Sequence, residues 1–171
     1  MDFQAIHDRL LAVNAPGLLG ADEPRLPNKE TKDKGRSGHS FVMVEASELV
    51  NFLTLCRDDP RLGFGLLVDI TASDPAADSE ELWILVELLS IEHRHRLAIK
   101  AIVPKSAPSL PSATAVYRAA QWHERECSEM YGITFEGHPD PRNILLPDDW
   151  PGYPMRKDYE FPKEYHGISC E

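Results

Sequence analysis

Cysteine is scarce in this chain. Of 171 residues only three are cysteine: Cys56, Cys127 and Cys170, far apart in sequence. They make no CxxC pair and no zinc or iron–sulfur spacing, so no cysteine-held metal or disulfide framework is expected. Reduced thiols in a cytosolic protein are the expectation. Long apolar runs are also missing, and none approaches the ~18 residues that cross a membrane. The N-terminus, MDFQAIHDRL, lacks a basic stretch followed by an apolar one, so no secretory signal is expected. Bases are outnumbered, with 18 Lys and Arg against 28 Asp and Glu and a net charge of -10. That balance argues against general nucleic-acid binding, which needs a basic face to displace counterions. There is no GxSxG, no phosphate loop and no GxGxxG. HExxH is absent as well, since residues 123–127 read His-Glu-Arg-Glu-Cys. No Ser, Cys or Lys nucleophile has a visible base beside it.

What remains is an ordinary globular composition, 42% hydrophobic and 27% charged, at a length that suits one core. Phe3, Ile6, Leu10, Leu11 and Val13 have helical spacing, ended by Pro16-Gly17. Residues 20–40 read as a loose polar loop, whose Lys29, Lys32, Lys34 and Arg36 form the one basic patch. Phe41–Val44 reads as a strand, and Ser47 as the cap of a helix that stops at Asp58-Asp59-Pro60. Phe64–Ile70 reads as a buried strand, followed by a polar turn over 71–80. Leu82–Ser90 is apolar on nearly both faces, which predicts a central strand covered on two sides. Arg96–Val103 alternates, with Leu97, Ile99, Ala101 and Val103 on one face. The class is therefore α/β, of α+β type. A small mixed or antiparallel sheet is flanked by helices and followed by a long irregular C-terminal arm. Residues 1–40 form a helix and loop, 41–132 the core, and 133–171 the arm.

The join between core and arm is the richest stretch. Ser112 is a fair N-cap, helical sequence runs from Ala113 to about Tyr131 with a possible break near Gln121, and Gly132 suits a left-handed end. At 100° per residue, Trp122, Ala119, Met130, Cys127, Ala120 and Tyr131 share one apolar arc. Glu126 and His123 fall inside that arc, Arg125 and Glu129 can pair on its margin, and Glu124 and Ser128 face away. A buried Glu126 needs a partner, with Arg142, Arg156 and Lys157 as candidates. It reads either as a proton-handling acid or as half of an ion pair that locks helix to arm. The arm holds six prolines among Trp150, Tyr153, Tyr159, Phe161 and Tyr165, too aromatic for a disordered tail. It reads either as a strap on its own domain or as an interaction arm laid across a partner. His93-x-His95, or His123 with Glu126 and His138, leave a free-standing His-ligated metal enzyme as a rival reading.

The stretch Glu124-Arg125-Glu126-x-x-Glu129-Met130-Tyr131, then His138, then Arg142-x-Ile144-Leu145, resembles the signature of a known family. That family is the thirty-kilodalton subunit of respiratory complex I, the proton-pumping NADH:quinone oxidoreductase. Leu146-Pro147-Asp148-Asp149-Trp150 and Pro154-Met155-Arg156-Lys157-Asp158-Tyr159 continue the likeness, as do Leu89–His93 with Arg96-Leu97 and the run 112–124. It covers about residues 41–166. Tyr153, Met155 and Cys127 depart from the commoner residues there.

The resemblance implies a non-catalytic structural subunit of the peripheral arm. This chain would bind no cofactor, and FMN, iron–sulfur clusters and quinone would belong to other subunits. The implied partners are the large quinone-site subunit and the neighbouring Fe–S subunits, on the cytoplasmic face of a bacterial cell membrane and touching it only through the complex. The end near Glu171 suggests the separate subunit and not a fused form. Glu124, Arg125, Glu126, Glu129, Met130, Tyr131, His138, Arg142, Ile144, Leu145, Pro147, Asp148, Arg156, Lys157 and Asp158 are the implied fold-and-docking residues. An equivalent subunit of a deazaflavin- or ferredoxin-linked relative, or of a membrane-bound NiFe hydrogenase, is the alternative.

Overall fold

The computed structural model describes residues 1–22 and 40–169. The basic patch at 29–36, His39 and Cys170 lie outside the described residues. Helix α1 (Phe3–Ala12) starts at Asp2, whose carboxylate accepts the Ala5 N–H at 2.9 Å. It buries Ile6 and Leu10 and is pinned by an Arg9–Asp59 ion pair at 2.6 Å. Strand β1 (Leu18–Asp22) follows, then β2 (Phe41–Val44). A short 3₁₀ turn (Ala46–Glu48) leads into α2 (Leu49–Asp58). Ser47 does not cap α2. It lies inside that turn, and the helix starts after Glu48 with no side-chain cap.

Strands β3 (Leu66–Ser73), β4 (Glu81–Ser90) and β5 (His95–Pro104) complete a five-stranded sheet of order β1-β2-β5-β4-β3. Only β2 and β5 are parallel; the other pairs are antiparallel, so the sheet is mixed. The period-2 pattern of β5 is realised, with Leu97, Ile99, Ala101 and Val103 all inward and buried. On β4, Leu82, Ile84, Val86 and Leu88 are buried, but Trp83, Leu85, Glu87 and Leu89 stay half-exposed. The strand is inner in the sheet yet covered on one face, because α1, α2 and the next helix all pack on the same side. The polar turn expected from residue 71 starts later, since Thr71–Ser73 still pair with Trp83–Leu85. β1 replaces the start of the expected loop. Its LLGAD sequence has no alternation, and it is held by pairing with β2 at the sheet edge.

After β5 the chain makes β6 (Ser109–Pro111) and a 3₁₀ turn at Ala113–Ala115. Helix α3 (Ala120–Tyr131) then begins, so the break falls just before Gln121. Ser112 accepts the Thr114 N–H as expected of a cap, and Gly132 ends α3 at φ +70°. Past Gly132, β7 (Thr134–Glu136) pairs in parallel with β6. The arm ends in a tight hairpin, β8 (Glu164–Tyr165) and β9 (Ile168–Ser169), turned by His166 and Gly167 at φ +50° and +77°. Phe52 and Phe64 are the largest fully buried side chains of the core, and Tyr117 closes it with an O–H donated to the Phe64 carbonyl at 2.6 Å. Phe52→Ala should lower the unfolding free energy by about 3–5 kcal/mol, read by urea denaturation, because removing a fully buried ring loses its burial and leaves a cavity.

Candidate docking site

Helix α3 has three distinct sides, and residue type alone assigns its charges to the wrong ones. Ala120, Glu124, Cys127 and Tyr131 face the core. Glu124 is 1% exposed. It makes no ion pair among the described residues. One carboxylate oxygen accepts the Ser112 hydroxyl and the other the Ala113 N–H, each at 2.6 Å. The acid thus ties α3 to the corner where β6 ends. Burial pushes its pKa above the usual glutamate range, against the pull of these two donors and of His138. Glu126, expected to be buried, is exposed, and Trp122 is 59% exposed beside it. His123, half-buried, pairs with Asp69 on β3 at 3.1 Å. Cys127 is buried against β3, and burial pushes its thiol pKa up to about 12.

The second side holds Arg125 and Glu129, 7% and 5% exposed. They do not pair with each other. Arg125 donates to the Arg142 carbonyl at 2.6 Å and the Asn143 carbonyl at 3.1 Å. The Glu129 carboxylate accepts the N–H groups of Ile144, Leu145 and Leu146, each at 3.0 Å in its shorter contact. One turn apart, the base takes carbonyls and the acid takes amides of the same strip of arm. The ion pair expected between Glu126 and Arg142, Arg156 or Lys157 is not made; Arg125 and Glu129 join helix to arm instead, from side chain to main chain. Arg142 turns away and pairs with Asp140 at 2.7 Å, which holds that carboxyl at about 2. His138 accepts the Asp140 N–H on Nδ1 at 3.0 Å, so its proton sits on Nε2 and is donated to the Gln121 carbonyl at 3.0 Å. A cleft of about 340 Å³ opens beside Arg125, Phe135 and His138.

Further along, the arm closes over the end of α3. The Met155 N–H donates to the Met130 carbonyl at 3.1 Å and Arg156 donates to the Tyr131 carbonyl at 2.7 Å. These are carbonyls that a helix end leaves free, and a cation there also suits the helix dipole. Arg156 lies 4.7 Å from the centre of the Tyr153 ring. That ring sits so close to Gly132 that a Cβ there would approach it to 2.5 Å. Gly132 is thus required twice, for its positive φ and for the ring.

Asp74 and Lys105 make the last anchor, and neither was expected from the sequence. They pair at 2.7 Å with the Asp74 side chain fully buried. Asp74 also accepts the Lys157 N–H at 2.9 Å, while Lys105 reaches Asp158 at 3.2 Å. Burial acts to raise the Asp74 pKa, but Lys105 and the Lys157 N–H outweigh it and leave it lowered. No linear pattern marks two residues at the ends of β3 and β5 as arm contacts. Among the other expected residues, Ile144 is half-buried, Leu145 is 61% exposed, and Pro147 and Asp148 are exposed. The Pro147 carbonyl accepts from Asn143 and from the Trp150 N–H. His93 and His95 are each tied to a carbonyl, of Pro60 and Leu62, at 3.0 and 2.7 Å.

The family model described as "Respiratory-chain NADH dehydrogenase, 30 Kd subunit" matches residues 42–165. The chain belongs to that family. Among relatives of this 30 kDa subunit, an NADH-quinone oxidoreductase subunit of Nocardioides sp. is 41% identical over 169 residues, 96% of this chain and 65% of that protein. The corresponding NADH-quinone oxidoreductase subunit of Chloroherpeton thalassium is 42% identical over 125 residues, 73% of this chain and 51% of that protein. The chain thus spans about half the length of the Chloroherpeton relative. Among solved structures, Nqo5 in a trypsin-resistant fragment (1-134) superposes with a TM-score of 0.57 at 25% identity, covering 82% of this chain and 99% of that one. A chain in the membrane-bound sulfane sulfur reductase, an archaeal respiratory membrane complex, shares the fold with a TM-score of 0.68 at 24% identity, covering 94% and 86%.

Three outcomes separate the three acids of α3. Glu129→Gln should cost about 1.5–3 kcal/mol and expose residues 142–159 to protease, because a buried charged acceptor of three N–H groups is lost. Glu126→Gln should leave the unfolding midpoint unchanged. For Glu124 the folded pKa is raised, so the folded state binds more protons than the unfolded one between the ordinary and the raised value. Wild-type stability relative to Glu124→Gln should therefore fall as pH rises through that window, as measured by urea denaturation across pH.

Proposed function

We propose that this 30 kDa-family chain is a non-catalytic structural subunit of the peripheral arm of a proton-translocating NADH:quinone oxidoreductase. In this reading electrons pass from NADH through FMN and iron–sulfur clusters to quinone in other subunits. This chain binds none of those groups and docks its partners into register. Its neighbours are the large quinone-site subunit and the adjoining Fe–S subunits, on the cytoplasmic face of a bacterial cell membrane. Among the described residues no helix is long and apolar enough to cross a membrane, and in this reading the membrane contact is made through the complex.

The observation that carries the reading is the arm. Arg125, Glu129, Arg156 and the Asp74–Lys105 pair are committed to holding an extended main chain in one path. Side chains committed in that way order a surface and leave little for proton transfer. Among the exposed large side chains of the arm, Tyr153, Met155 and Phe161 are of types enriched in interfaces. The fold is shared with a different respiratory complex, so an equivalent subunit of a related quinone- or hydrogen-linked complex is the second reading, and the electron donor separates the two.

Purification of the tagged chain from its native membrane should bring the quinone-site and Fe–S subunits with it, and the assembly should reduce quinone with NADH. A chain recovered alone overturns the proposal, and an assembly inert to NADH but active with another donor selects the second reading. Deleting residues 147–171 should leave a folded domain but abolish co-purification, because it removes Arg156 and both Lys157 and Asp158 from their anchors. A truncated chain that assembles at full yield would show that the arm is only a strap.

A further inference from the structure

The third side of α3 carries Trp122 and Glu126, both exposed, and Met130, half-buried at the margin of the core. Trp122, Glu126 and Met130 recur at four-residue spacing, so they form one outward stripe. Met155 of the arm lies alongside, its N–H bonded to the Met130 carbonyl. Beside Glu126, Met130 and Met155 is a hollow of about 110 Å³, lined also by Thr71, Cys127 and Tyr131. That is well below the ~300 Å³ at which small-molecule pockets begin, and it suits one side chain. Two flexible methionines on its wall can adapt to the shape of what enters. Trp122 on α3 and Met155 on the arm are 59% and 53% exposed, large apolar groups left open to solvent.

Charge selects the kind of partner. Glu126 has no hydrogen-bond or ion-pair partner among the described residues, and it stands on the rim of the hollow. The basic side chains nearby are already engaged: Arg125 and Arg156 with main-chain carbonyls, and His123 with the Asp69 carboxylate. The stripe therefore presents a free carboxylate beside an apolar cup, on a chain of net charge -10. We infer that this stripe is a contact point for a partner protein that inserts one aliphatic or aromatic side chain into the hollow and sets an adjacent lysine or arginine against Glu126. This rests on the docking role proposed for the chain and names the surface and chemistry that carry it. The partner's apolar side chain would complete the wall that Met130 and Met155 leave open, and Trp122 at one end is the residue type that most often anchors such contacts.

The test places a photo-crosslinking residue at Met155 in the full chain and irradiates the purified assembly. The crosslinked peptide should come from another subunit and contain an apolar residue next to Lys or Arg. Glu126→Lys should lower the yield of assembly on the order of tenfold, through like-charge apposition, with the melting temperature of the isolated chain unchanged. Crosslinks to lipid, to a second copy of this chain or to its own residues overturn the inference. So does an assembly that forms but gives no crosslink, or Glu126→Lys assembling at wild-type yield. If the unaltered chain brings no subunits with it, the failure belongs to the docking role itself, and the inference falls with it.

Discussion

The path of the arm over α3 depends on one buried carboxylate. Glu129 sits on the arm-facing side of α3 with its charge removed from water, a costly position for an acid without donors. Three consecutive backbone N–H groups of the arm supply the donors. The requirement is mutual. Residues 142–159 form no ladder; turns inside the strip satisfy some of their amides and carbonyls, such as Trp150 N–H on the Pro147 carbonyl, and others take partners from outside it. Glu129 takes amides and Arg125 takes carbonyls at the same place, so neither the charges nor the strip is satisfied without the other. The arm's path is in this sense written on α3.

The same rule repeats at each later contact. Arg156 satisfies a carbonyl at the end of α3, and Asp74 satisfies the Lys157 N–H. Asp74 is the more demanding of the two, because its side chain is fully buried and a lone carboxylate there would be expensive. Lys105 neutralises it and reaches on to Asp158, joining the ends of β3 and β5 to the far half of the arm. Side-chain to main-chain bonds of this kind tolerate no change in chain length between anchors, which makes an irregular segment as specific in position as a strand.

Most of the sheet was legible because its strands obey a simple period. β5 alternates, β4 is apolar, and both lie within a residue or so of the expected ranges. The misreadings have physical causes. β1 carries no alternation because an edge strand of five residues is held by pairing with β2 and not by its own pattern. β4 looked covered on both faces because Trp83, Leu85 and Leu89 are apolar, yet all helices pack on the other side. On α3 the helical wheel weighted residue type alone, so Trp122 and Met130 drew the apolar arc outward and carried Glu126 with them. The real inner face is lined in part by Glu124, Arg125 and Glu129, polar groups whose burial is permitted only by donors and acceptors brought from positions 11 to 18 residues away in sequence. A wheel cannot see such partners. Asp74 and Lys105 were invisible for the same reason at longer range.

That redistribution changes what the charge-rich stretch is for. If the buried acids had been paired with bases on the arm, each ion pair would have been free to exchange for a partner's charges on assembly. Bonds to main chain cannot be exchanged without unfolding the strip that makes them. The arm is therefore ordered by its own chain, and association need not supply the free energy of ordering it, which is the usual tax on extended recognition segments. What is left facing outward mixes the exposed apolar side chains Leu145, Tyr153, Met155 and Phe161 with exposed charges such as Asp148, Glu160, Lys163 and Glu164. In the docking role proposed, specificity would come from shape and from the Glu126 carboxylate at the rim of the hollow, while the larger charge of the chain acts at a distance and is screened by salt.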